Sequence, residues 1–332
     1  MILQKMSDLA LVTSDIHIHK YKQFNHNNRR LENGIRYLNY LFEFCGTNLI
    51  TLILIPGDLY NLMQIVSTEV EDRIIACLTD NFKKYPKINI VAVSGNHDHA
   101  TKNLIDFPAV SALTHLAVTF RGRFFLLDDP TSSYVTEQKN VIYGIPYFEY
   151  TEHFRKALEQ NSKNFSTIDN NRFLLMHQMV DSGIPGKDQI EAMDPLFESY
   201  SMIFNGHLHG YKEVTEKFIN VGSPMHRDQD DLGKEKGMWL VDLNDPDDTL
   251  TFIPTHDKFP QFISKEEGSE LTEWEEQQYV IWYPRVTEKT VKEREMLTNF
   301  RTDLAPDTII KNYADAAKLA DAYLNYGLNI LK

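Results

Sequence analysis

Five short clusters of metal-ligating and acid–base side chains recur along the chain: Asp15-Ile16-His17, Gly57-Asp58, Gly95-Asn96-His97-Asp98, His177, and Gly206-His207-Leu208-His209. Seven of the twelve histidines, at 17, 19, 97, 99, 177, 207 and 209, lie in or beside them. A single Asp after a strand is commonly a turn or cap residue, and a single His a satisfied polar group. Five such elements in order form a constellation. Carboxylates, imidazoles and the carboxamide of Asn96, with no cysteine among them, suit borderline divalent cations such as Mn2+, Fe2+ or Zn2+. Two cations roughly 3.5–4 Å apart need a shared carboxylate. Asp58, from the middle one of three N-terminal strands, is the natural bridge. Such a pair lowers the pKa of a bound water and clamps a phosphate, so the chemistry it supports is hydrolysis of a phosphate ester. His97 is suited to stand as a cation near the leaving oxygen, with Asp98 or another acid holding its tautomer.

Elements that could position these clusters are legible around them. Apolar runs at residues 9–13, 49–55, 88–93, 173–176 and 201–204 each end where a cluster begins. Helical spacing of apolar residues covers 29–45, closing at Gly46, and about 69–83. This alternation implies right-handed crossovers and a parallel or mixed sheet, with a site on the loops beyond the strand ends. Further strands are expected at 117–120, 124–127, 141–145, 218–221, 237–242 and 249–254, with a helix at about 152–160, making a second sheet packed on the first. The stretch 260–276 is polar and reads as a linker or hairpin. A strand is expected at 279–283 and helices at 288–300 and 312–332. The last of these is amphipathic, and either packs on its own domain or docks a partner.

Composition narrows the class. The chain has 332 residues, and 34 Lys+Arg against 47 Asp+Glu give a net charge of −13. That argues against a protein gripping nucleic acid with a broadly basic surface. The acidity falls in the later part of the chain, while the first 130 residues are nearly neutral. At 42% hydrophobic and 24% charged the sequence is globular, neither disordered nor fibrous. No apolar run approaches the roughly 18 residues that would span a membrane, and Asp8 interrupts the first apolar stretch, so neither a span nor a signal peptide is expected. Cys45 and Cys77 sit in apolar, helix-like surroundings and read as buried free thiols of a reducing cytoplasm. The chain has no G-x-x-x-x-G-K-[ST], so any ATP dependence must come from another polypeptide.

In this order, D-x-H, G-D, G-N-H-D, H and G-H-x-H resemble the signature of the calcineurin-like metallophosphoesterases, over about residues 8–255. The resemblance implies an α/β fold: a two-layer β-sandwich flanked by helices, with the site on loops at one edge. It also implies that Asp15, His17, Asp58 and His209 hold one metal ion and Asp58, Asn96, His177 and His207 the other, with His97 serving the transition state and leaving group. The SDIH and PGDLY segments are similar to those of SbcD-type (meiotic recombination) nucleases. The segment Val221-Gly222-Ser223-Pro224, followed by DLGKEKGMWLVDL, is similar to compact bacteriophage recombination-endonuclease subunits. This second resemblance implies a DNA exonuclease/endonuclease subunit using two divalent ions, Mn2+ first, with Mg2+, Fe2+ or Zn2+ as alternatives. Its partners would be DNA and an SbcC-type SMC-like ATPase, in DNA replication, recombination and repair. It further implies a nuclease domain at 1–258, a small α+β DNA-capping domain at 259–303, an ATPase-docking helical segment at 304–332, a homodimer, and a cytoplasmic location (the host's, if phage-encoded). Many relatives carry a His three residues after the bridging Asp, where this chain has Asn61. An amide can donate to a phosphate but cannot act as an acid, so Asn61 is expected to bind substrate and the balance of exonuclease and endonuclease action stays open. His19 is expected either to support the site from behind its ligands or to lie at the surface. The alternative reading is a small-molecule or cyclic-nucleotide phosphodiesterase of the same superfamily.

Overall fold

The computed structural model describes residues 8–24, 26–61, 67–166, 169–180 and 189–283. The expected helices at 288–300 and 312–332, and the whole docking segment 304–332, lie outside the described residues.

Four parallel strands, β1 (Leu9–Val12), β2 (Leu52–Pro56), β3 (Asn89–Val93) and β4 (Phe124–Leu126), are joined by helices α1 (Arg29–Thr47), α2 (Thr68–Lys84) and α3 (Leu113–Thr119). Strand β2, LILIP, is buried at every position because both its faces are covered. Ile53 and Ile55 turn toward the helices, while Leu52 and Leu54 turn toward the second sheet. Helix α1 answers with Leu31, Ile35, Leu38, Phe42 and Cys45, a buried stripe at helical spacing. Gly46 does not close this helix as the sequence suggested. A Cβ there would lie 2.3 Å from the Tyr85 ring, so close packing requires the glycine, and the helix runs on to Thr47. The strand expected at 117–120 is also corrected. It falls on α3, whose buried Leu113 and Leu116 are one helical turn apart, and Phe120 N–H closes the last turn on Leu116 O.

The second sheet contains β5 (Ser133–Val135), β6 (Val141–Ile145), β7 (Arg172–Met176), β8 (Met202–Asn205), β9 (Lys212–Thr215) and β10 (Phe218–Asn220). Its order is β5-β6-β7-β8-β10-β9, parallel in the middle with antiparallel edges, and α4 (Thr151–Ser162) makes the crossover from β6 to β7. Along β7, Phe173 and Leu175 face the first sheet while Leu174 and Met176 face α4, the period of two that a doubly covered strand requires. The chain then returns to the first sheet through β11 (Gly237–Asp242), antiparallel to β1, and β12 (Thr251–Pro254), with the short α5 (Pro246–Thr249) between them. The polar stretch after Pro260 carries β13 (Phe262–Glu266) and α6 (Glu273–Glu276), and β14 is Tyr279–Tyr283. Contacts divide the described residues into a larger unit, up to Ile263 and including Leu271–Ile281, and a smaller one of Ser264–Glu270 and the residues from Trp282. Cys45 and Cys77 are buried free thiols. Among the described residues, no helix is long and apolar enough to cross a membrane.

Candidate metal centre

Every cluster follows a strand of the parallel set. Asp15 and His17 come after β1, Asp58 after β2, and Asn96 and His97 after β3; His177 comes after β7, and His207 and His209 after β8. The first five therefore belong to one sheet and the last three to the other. Their backbones are unusual. Asp15, His17, Asp58 and His207 have φ of 54°, 52°, 55° and 78°, left-handed conformations that cost a non-glycine residue energy and are kept where function demands them. Two glycines let the loops touch. A Cβ on Gly57 would lie 2.3 Å from His177 Nδ1, and one on Gly95 would lie 2.1 Å from Asp58 Oδ1.

The side chains converge in two groups that share Asp58. On one side, His17 Nε2 lies 3.1 Å from His209 Nε2, 3.7 Å from Asp15 Oδ1 and 3.6 Å from Asp58 Oδ2, with His209 Nε2 3.6 Å from Asp15 Oδ1. On the other, His177 Nε2 lies 3.3 Å from Asp58 Oδ2 and 3.1 Å from Asn96 Oδ1, which is 2.9 Å from His207 Nδ1. Main-chain groups aim these donors. His207 N–H donates to both oxygens of Asp15, at 3.2 and 3.1 Å, and His97 N–H donates to Asp58 Oδ1 at 2.8 Å. His177 Nδ1 is 2.8 Å from Pro56 O, which fixes the ring so that Nε2 faces Asp58.

Both carboxyls are almost wholly buried, Asp15 at 2% and Asp58 at 1% exposure. Burial by itself would raise them. The imidazoles outweigh it: His17 and His177 act most on Asp15, and His177 acts most on Asp58. Both are held below the usual carboxylate range. Asp58 overcomes the burial of His177 and raises it to about 9, whereas burial above all pushes His207 and His209 down to about 4. Triplets of donor atoms within 4.8 Å of one another are formed by Asp15, His17 and His209, by His17, Asp58 and His97, and by Asp15, Asp58 and His177. Two buried anions ringed by imidazoles, with one carboxylate in both groups, are a donor set that fits two divalent cations.

His97 stands beside the first group of donors. Its ring stands edge-on to His17, centroids 4.7 Å apart, and Nδ1 has no hydrogen-bond partner. Burial pushes it down to about 4, against the pull of Asp58. Asp98 does not hold it. The Asp98 carboxylate instead accepts the N–H groups of Asp58 at 2.8 Å, Tyr60 at 2.9 Å and Gly95 at 2.9 Å, tying the second loop to the third. Asn61 lies beside the Tyr21 hydroxyl, which donates to His17 O at 3.0 Å. His19 is half-buried, 5.5 Å from the Tyr21 ring.

Three further features were not assigned from the sequence. Lys236 and Asp231 form a buried ion pair at 2.6 Å behind His209. Arg227 reaches His17. A cleft of about 300 Å³ opens beside Asn96, lined by His99, Lys102, Asn103, Tyr147 and Glu149, with the Tyr147 ring stacked on His207 at 5.7 Å. Only the spacing from G-H-x-H through Gly222-Ser223-Pro224 to a nearby Lys could have hinted at the first two.

A family model described as calcineurin-like phosphoesterase matches residues 10–211, the span that holds all the donors. Among curated proteins none matches this chain significantly. Among solved structures the chain is similar to a dimetal phosphatase from Danio rerio, with a TM-score of 0.44 and 9% identity, covering 71% of this chain and 92% of that one.

Proposed function

The chain belongs to the calcineurin-like phosphoesterase family, and from that premise we propose that it is a Mn2+-dependent nuclease subunit that hydrolyses phosphodiester bonds of DNA under an SbcC-type SMC-like ATPase. The observation that carries a hydrolytic reading is the convergence of donors from five strand ends and both sheets around Asp15 and Asp58, with Asp58 facing His17, His177 and the His97 N–H. Asp15, His17, Asp58 and His209 would hold one divalent ion, and Asp58, Asn96, His177 and His207 the other. Two such ions supply an activated water and offset the charge that builds on the phosphoryl oxygens. The protein's own part is to keep the carboxylates charged, aim the imidazoles through main-chain groups, and present His97 to the leaving oxygen. An imidazole donates an N–H in either protonation state, so His97 would act there as a hydrogen-bond donor, and as a cation when protonated.

The choice of DNA within the family is supported by SDIH, PGDLY and the GSP segment, which are similar to those of SbcD-type nucleases. In this reading residues 259–303 cap the DNA, 304–332 dock the ATPase, the subunit pairs with a second copy, and the protein works in the cytoplasm. Asn61, through its amide, would bind the substrate strand.

Incubation of the full chain with Mn2+ and duplex or single-stranded DNA, with and without the ATPase, tests the proposal. Cleavage that is abolished by chelation is the expected result. Turnover of bis-p-nitrophenyl phosphate or cyclic nucleotides with indifference to DNA would instead make the protein a small-molecule phosphodiesterase.

A further inference from the structure

Beside the metal-ligating donors stands a cation that no sequence motif marks. Arg227 Nη1 lies 3.3 Å from His17 Nε2, the nitrogen that also faces His209, Asp15 and Asp58. Its side chain is 26% exposed, so the guanidinium reaches both the donor cluster and solvent. The residue is held firmly. Its main-chain N–H donates to Asp231 Oδ2 at 2.7 Å. The other oxygen of Asp231 accepts Lys236 Nζ at 2.6 Å, and that ammonium also donates to His209 O at 3.0 Å and to Ser223 Oγ at 2.8 Å. One buried ion pair thus fixes Arg227 and the His209 loop together. On its outer side Asp228 Oδ2 accepts from Nε and Nη2, each at 3.3 Å, which leaves Nη1 turned toward the site.

This placement has a chemical consequence. Once His17 Nε2 ligates a cation, its lone pair is no longer open to Arg227. A guanidinium next to two divalent ions is repelled unless an anion lies between them. A phosphate ester at the centre is such an anion, and the planar fork of an arginine matches phosphoryl oxygens in a way that a lysine does not. We propose that Arg227 is a catalytic residue that grips a non-bridging oxygen of the reacting phosphate on the His17–His209 side, an inference that rests on the dinuclear reading of the site.

The test uses the full-length chain loaded with Mn2+, bis-p-nitrophenyl phosphate as substrate and inorganic phosphate as the binding probe. Arg227→Gln should raise both KM and the Kd for phosphate about ten- to a hundred-fold, the size of a hydrogen bond to a charged group. Mn2+ bound per chain, measured by atomic absorption, should not change. Arg227→Lys, keeping the charge without the fork, should fall between Gln and wild type. If Arg227→Gln leaves KM and phosphate affinity within about twofold of wild type, the arginine does not touch the substrate and the proposal is overturned. If the same variant loses Mn2+, Arg227 serves only to position His17, and the proposal is again overturned. A wild-type chain that bound neither Mn2+ nor phosphate would overturn the dinuclear reading and this inference with it.

Discussion

Lys236→Met isolates the ion pair behind the site. The lysine side chain is 1% exposed and that of Asp231 4%. Nζ donates to Asp231, Ser223 Oγ and His209 O, so methionine keeps the apolar stem but strips a donor from three acceptors at once. Burial lowers Lys236, and in spite of burial Lys236 holds Asp231 below its usual range. Lys236→Met leaves the buried Asp231 carboxyl without its ion-pair partner. Breaking a buried pair from one side costs about 3–5 kcal/mol. Adding Asp231→Asn removes the stranded charge and keeps an oxygen for Arg227 N–H, so the double variant should lie only about 1–2 kcal/mol below wild type. Urea unfolding of wild type, single and double variants measures both quantities. Activity should fall more than stability alone explains, because His209 and Arg227 lose a common anchor, and a shift of about 1 Å can cost on the order of a hundredfold in rate. A single variant within about 1 kcal/mol of wild type, or a double variant no more stable than the single, would refute the reasoning.

Asp98→Ala leaves the buried N–H groups of Asp58, Tyr60 and Gly95 without their acceptor; unfolding should show a loss of at least about 2 kcal/mol, and calorimetry a weaker affinity for Mn2+. Burial raises Asp128 from 3.8 to about 6, against its two hydrogen bonds from Ser94, so the folded state binds that proton more tightly than the unfolded chain. The stability it contributes is complete below pH 3.8 and is lost as pH rises through 6. Asp128→Asn should flatten the decline measured by urea unfolding between pH 4 and 7 by about 2–3 kcal/mol. His97→Ala should lower kcat about 10²–10⁴-fold while Mn2+ content stays at the wild-type level; unchanged turnover would remove His97 from the chemistry.

What was legible in the sequence follows from where the strands lie. Strands covered on both faces, such as β2 and β7, must be apolar throughout, so they stand out as runs, and the polar residues that break them are the ones at the site. Edge strands give no such contrast. Ser133–Val135 and Lys212–Thr215 pair on one side only, carry exposed polar residues, and were not foreseen. Residues 117–120 suit a short half-buried strand as well as a short amphipathic turn, since the two share one apolar content, and packing selects the helix. The supports of the site were least visible. The sequence offers Asp98 or another acid as a partner for His97, yet the partners of Asp98 include the amides of Asp58 and Tyr60 from another loop. Lys236, Asp231 and Arg227 act on His17 and His209, and only the folded chain brings them together.

The division of donors between two sheets gives the centre a second, mechanical meaning. The sheets belong to separate ladders and meet through side-chain packing. At the site edge they are also laced by His207 N–H to Asp15 and by His177 to Pro56 O. Ions held by Asp15 and Asp58 from one layer and by His177, His207 and His209 from the other would rivet that seam. Folding and ion occupancy are then one linked equilibrium, in which free ion concentration sets how tightly the layers stay shut. By reciprocity, a defect deep between the layers, far from any donor, loosens the grip on the ions: the interior of the sandwich tunes the affinity at its rim.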